Sequence, residues 1–217
     1  MGLNASKVEY AGGNSGPREI LEAGTYPGRL VQLVDLGVQE QKAFQGKEKP
    51  PVQMISVTYE LAEEFMKDED GNPIEDKPLW KSEDFALHPL QSEKAKSTVR
   101  YTAMDPDNKF GGDWEQLIGT PVDITFVVNK SKETGNEYNA ISSVIRMRAS
   151  KAEGMVELKN EPRIFNLDEP NMDVFEMLPE WLQKKIKGNL NYQGSALQDL
   201  LGEDNENNDD EWLWGDE

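Results

Sequence analysis

Between Val52 and Leu61 the side chains alternate in character: Ile55, Val57, Tyr59 and Leu61 fall on one side, Met54, Ser56, Thr58 and Glu60 on the other. A period of two suits an extended strand with one face against a core, so this stretch predicts β-structure. Thr25 to Gln39 is rich in Val and Leu and is broken at Gly28 and Gly37, the pattern of a long strand that bends. A Lys- and Gly-bearing loop is expected from Glu40 to Pro50. Asp68-Glu69-Asp70-Gly71-Asn72-Pro73 carries turn chemistry and leads into a third strand around Lys77 to Leu87. Ser92 to Met104 reads as a helix with Ser92 as N-cap, and Asp113 to Ile118 as a short second one closed by Gly119. After Pro121 a fourth strand places Val122, Ile124, Phe126 and Val128 on one face. A hairpin tip around Gly135-Asn136 then turns into a fifth strand through Ile141, Val144 and Ile145.

Three strands, a helix and two strands are the element order of the OB-fold, a five-stranded, partly open barrel. The expected fold class is therefore mainly β, with a five-stranded OB-fold barrel over residues 24–149 and a flexible Gly- and Ser-rich leader over 1–23. Residues 150–202 are expected to form a helical extension, with helices at Asp173 to Leu178 and Glu180 to Lys187 interrupted by Pro179, and a short apolar-faced turn at Ser195 to Leu201. Within it Trp181, Leu182, Ile186 and Leu190 fall near one helical stripe, suited to packing on the barrel or to a partner. Residues 203–217 (EDNENNDDEWLWGDE) carry eight acids and no base. So polar a segment cannot offset its ordering cost, and a disordered acidic tail is expected. Its Asp209, Asp210, Glu211, Trp212, Leu213 and Trp214 combine charge with aromatic anchors and form the expected partner-binding segment.

The net charge is −18, and subtracting the tail's −8 leaves −10 for residues 1–202. Nucleic-acid binding would therefore need a local basic groove, because bulk charge opposes it. The chain has no cysteine, which excludes disulfides, thiolate metal sites and a cysteine nucleophile. His88 is the only histidine and has no second imidazole with which to build a zinc site. A Gly-rich phosphate loop, G-x-S-x-G and H-E-x-x-H are all missing, so neither an enzyme nor a cofactor is expected. Nor does the acidic turn suit calcium: Gly71 at position six of an EF-hand would start the loop at Met66, which cannot ligate the ion. No apolar run approaches the ~18 residues needed to span a bilayer. Met1 to Ser6 fits the myristoylation pattern but has no basic patch to support a single acyl chain, so no membrane partner is expected.

Binding of a single strand needs positive charge along the phosphates and aromatic faces on which bases stack, at ~1–3 kcal/mol each. In an OB barrel the ligand lies on the strand 2–3 face, between the 1–2 and 4–5 loops. The sequence puts Lys42, Phe44, Lys47 and Lys49 in the first loop, and Lys130, Lys132 and Tyr138 in the 4–5 hairpin. Arg29, Trp80, Lys81, Arg146 and Arg148 lie on the flanking strands, and Lys94, Lys96, Arg100 and Tyr101 on the intervening helix. Tyr59 shares the apolar face of its strand and is assigned to the core, while Trp80 suits either core or stacking. The acidic body favours an alternative, an OB-fold protein-interaction adaptor or virion component that binds no nucleic acid.

Four features together resemble the single-stranded DNA-binding proteins of tailed bacteriophages, over residues 24 to 217. They are the barrel pattern, Leu117-Ile118-Gly119-Thr120-Pro121-Val122 leading into strand four, the hairpin Lys132 to Asn139, and the acidic tail. Phe165-Asn166-Leu167-Asp168, and Phe175 to Asn189 with Leu178-Pro179-Glu180-Trp181, are similar to the segment C-terminal to the barrel in some of them. The resemblance implies a protein that coats single-stranded DNA during replication, recombination and repair in the cytoplasm of the infected bacterial host. It also implies recruitment of a polymerase, helicase or nuclease through the tail, and leaves a homodimer open. Well-known members end on an apolar or aromatic residue, whereas Gly215-Asp216-Glu217 follow the aromatics here, so the internal Trp212 and Trp214 take the anchoring role.

Overall fold

The computed structural model describes residues 20–44, 46–132 and 134–202, with Lys42 and Phe44 described by backbone alone. Most of the expected leader, and the whole of the expected tail at 203–217, lie outside the described residues. The chain is mainly β. Its strands are β1 (Gly24–Phe44), β2 (Lys47–Lys67), β3 (Pro73–Ala86), β4 (Pro121–Lys130), β5 (Glu137–Arg146) and β6 (Arg163–Phe165). Helix α1 (Lys96–Met104) falls between β3 and β4, and α2 (Ala149–Ala152), α3 (Met172–Met177), α4 (Glu180–Lys187) and α5 (Ala196–Leu201) come after β5.

The strands lie in the order β3-β2-β1-β4-β5, each pair antiparallel. β4 leaves β1 at Arg29, and β6 takes over the same edge in parallel at Gln32 to Val34. The sheet does not close: β3 and β5 remain its two edges, so the barrel expected from the sequence is not a complete hydrogen-bonded ring. Side chains span the gap where backbone does not. Lys81 on β3 donates to Asn139 on β5 at 3.3 Å. Arg100 of α1 grips Glu83 on β3 at 2.7 and 3.2 Å, and donates to the carbonyls of Ile141 and Ser142 on β5 at 3.0 and 3.3 Å. Because 81 matches 139 and 83 matches 141–142, the two edges run in the same direction along this seam.

β1 is apolar on both sides because two cores flank it. Leu30 and Leu33 join Val57, Tyr59, Leu61, Ile124, Phe126 and Val144 in one. Val34 and Leu36 join Phe165, Phe175, Leu178, Leu182, Ile186 and Leu197 of the extension in the other. Of the two expected breaks only Gly37 falls at an irregularity of the ladder, whereas Gly28 pairs regularly with Leu61 and Val122 and is a point of close approach. A Cβ at Gly28 would sit 2.7 Å from the Glu60 carbonyl, and Gly37 adopts φ +69° at a bulge that lies against Asn189.

Several boundaries differ from expectation. The first loop is a two-stranded arm, because β1 and β2 continue pairing as far as Phe44 and Lys47. Ser92 does not cap α1: residues 92–95 form turns bonded to the Pro89 and Ser92 carbonyls, and the helix begins at Lys96 after an uncapped Ala95. The short second helix is a single 3-10 turn, Glu115–Leu117. In α4, Leu182 and Ile186 are buried while Trp181 is exposed, and Leu190 lies exposed beyond the turn at Gly188. Among the described residues no helix is long and apolar enough to cross a membrane.

Candidate nucleic-acid interface

The β4–β5 hairpin pairs Asn129 with Tyr138 and Lys130 with Glu137, and its tip closes through Gly135 N donating to the Ser131 carbonyl at 2.9 Å. Lys130, Lys132 and Tyr138 are all exposed beside Val127 and Val128 because both faces of the hairpin are open, and cross-strand pairing sets Lys130 with Glu137 on one face and Tyr138 with Asn129 on the other. Next to Tyr138, the Asn139 carboxamide accepts from Leu21 N at 2.9 Å and from Lys81 Nζ, and donates to the Leu21 carbonyl at 2.8 Å. This one side chain ties together β5, β3 and the chain entering β1. Lys81, Lys130, Lys132 and Tyr138 thus gather at one end of the seam, with Tyr138 on the opposite face of the hairpin from Lys130.

Arg146 and Arg148 are also exposed, but at the far end of β5. Eight residues of strand separate Arg146 from Tyr138, roughly 26 Å. Lys47 and Lys49 are exposed on the arm, where the backbone also places Lys42 and Phe44.

Arg29 and Trp80 do not join this surface, a correction to the expectation from sequence. Arg29 faces Glu60 across β1 and β2 and is buried. Its guanidinium donates to the carbonyls of Gly119, Val156 and Met155 at 2.9, 3.0 and 3.4 Å, and to Glu157 at 3.2 Å. Glu60, equally buried, accepts from Lys159 N at 2.7 Å, Asn160 N at 3.3 Å, the Asn160 amide at 2.7 Å and Trp80 Nε1 at 3.0 Å. The pair clips segment 155–160 to the sheet, the cation taking its carbonyls and the anion its N–H groups. Arg163 then lies 5.3 Å over the Trp80 ring. With Lys185 paired to Asp84 at 2.7 Å, the extension covers the outer face of β2 and β3, where Ser56 and Thr58 are buried.

Tyr59 is core, as its strand pattern requires. Burial pushes its hydroxyl well above the usual tyrosine range, and it donates to Glu83 at 3.3 Å. Arg100 and Tyr101 are buried as well, and Lys96 completes the Glu83 cluster at 2.8 Å. The residue that sequence reasoning missed is Asn139: a polar residue in a hairpin carries no local sign of the Leu21 backbone it will meet. Among the described residues no group of three or more His, Cys, Asp or Glu side chains is placed to hold a metal ion. No protein-family model matches the chain, and no curated protein matches it significantly.

Proposed function

We propose that this protein binds single-stranded DNA along the β4–β5 hairpin and the adjoining seam, using an OB-type barrel whose last closure is made by side chains. The observation that carries this reading is the exposure of Lys130, Lys132 and Tyr138 on one hairpin, next to Lys81, in a body of net charge −10. Phosphates follow the lysines, and the Tyr138 ring offers a face to one unstacked base. Lys47 and Lys49, exposed on the arm, add positive charge at the other end of β1. A duplex keeps its bases stacked and has none to give the ring, while the acidic surroundings resist adhesion by charge alone. In this reading the protein coats strands exposed during phage replication and recombination, and Asp209 to Trp214 recruit the partner enzymes.

Titration of labelled oligo(dT) and a matching duplex at two salt concentrations tests the proposal. Single strands are expected to bind at least about tenfold more tightly, with affinity falling as salt rises. Tyr138→Ala should weaken binding by ~1–3 kcal/mol. Equal affinity for the two DNAs, or a flat salt response, overturns the proposal. The adaptor reading has its own support, since the extension covers the strand 2–3 face that OB barrels commonly give to ligands. It is favoured if oligo(dT) does not bind at all.

A further inference from the structure

At the root of the arm lies a cleft of about 430 Å³, lined by Asp35, Gly37, Gln53, Asp168, Asn191 and Ser195 among others. Its size falls within the ~300–1,000 Å³ usual for small-molecule sites. The walls are pinned. Leu190 N donates to the Val38 carbonyl at 2.9 Å, Asn191 N to Asn189 Oδ1 at 2.8 Å, and Gly37 N to Asp35 Oδ1 at 2.8 Å. The Gln53 amide also donates to Asp35, so one carboxylate is spent on the wall.

Asp168 differs: it is exposed, and its carboxylate has no hydrogen bond or ion pair among the described residues. Burial raises the pKa of the Asp35 carboxyl, and the charge of Asp168 raises it further, so two acids share one cleft. The nearby α4 lysines 184 and 185 are engaged by Glu180 and Asp84. Such a cleft repels phosphate and accepts N–H donors. Among the bases of a single strand, guanine presents two adjacent donors, N1–H and the N2 amino group, and a carboxylate can accept both at once. Thymine offers a single N–H between two carbonyl oxygens.

We propose that the cleft receives an unstacked guanine of the bound strand, with the Asp168 carboxylate accepting its N1–H and N2–H, and Asn191 supplying the amide partner for O6. The inference rests on the single-strand reading and gives it a base preference. Anisotropy titrations would compare oligo(dT), the same oligomer with one central guanine, and one with inosine, which lacks the N2 amino group. The guanine oligomer is expected to bind roughly tenfold more tightly than oligo(dT), with inosine between them. Asp168→Asn should remove that preference and leave oligo(dT) affinity unchanged, because the residue is exposed and its carboxylate ties nothing else down. Equal affinity for the guanine and thymine oligomers, or a preference that survives Asp168→Asn, overturns the guanine site while the single-strand reading stands. Failure to bind any of the three overturns both.

Discussion

Asp105, at the end of α1, shows how one buried side chain can hold a turn and set an acid limit on stability. Its carboxylate accepts from Lys109 N at 3.0 Å, Phe110 N at 2.9 Å and the Tyr101 hydroxyl at 3.2 Å. Burial pushes its pKa up, but the bonds from Phe110, Lys109 and Tyr101, with the charge of Arg146, outweigh it and hold the pKa below the usual carboxylate value. A depressed folded-state pKa means stability that is fully present above the unfolded value of ~3.9 and is lost as pH falls through the lower folded value. Urea midpoints measured from neutral pH downward should therefore fall in that acid window. Asp105→Asn should be less stable at neutral pH and lack that part of the acid decline; parallel profiles would refute the assignment. Residue roles were unevenly legible. Tyr59 announced itself by alternation, whereas Arg29 looked like any strand arginine until the carbonyls of Met155 and Val156, more than a hundred residues away, claimed it.

Among the elements, the strand pattern was readable wherever one face meets a core, because burial imposes the period of two. It failed in the arm: Lys47 to Pro51 are all exposed, so nothing forces alternation, and paired strands read as loop. The α4 stripe was half right for a related reason. Leu182 and Ile186 pack beneath β1 with Phe175 and Leu197, while Trp181 points away from that core. Leu182→Ala should cost about 2–5 kcal/mol of unfolding free energy. Trp181→Ala should stay within about 0.5 kcal/mol, as measured by chemical denaturation. Equal costs would mean that the extension is not packed as described.

For the molecule as a whole, charge is segregated: eight acids in the last fifteen residues, a body of −10, and a lysine strip on one hairpin. Tethered to the body, an anionic segment of charge −8 would compete with DNA for these lysines, in a contact that salt weakens. Deleting residues 203–217 should tighten single-strand affinity, most strongly at low salt; unchanged or weaker affinity would sink the competition. Replacing Trp212 and Trp214 should leave DNA affinity intact and abolish partner capture.

Side-chain period, turn chemistry and composition are local properties, and they were enough to specify most of the strands, their succession around one helix, the break at Gly37, and where charge collects. They did not reach the seam, where β3 and β5 are joined by Arg100, Lys81 and Asn139 instead of by backbone bonds. Nor did they reveal that Arg29 and Glu60 are spent on segment 155–160, or that the extension lies over the outer face of β2 and β3. Those features came from tertiary packing alone, because periodicity reports which face of an element is buried and carries no record of the groups that bury it. Here the burying groups lie about a hundred residues away along the chain, as in the bond between Glu60 and Asn160.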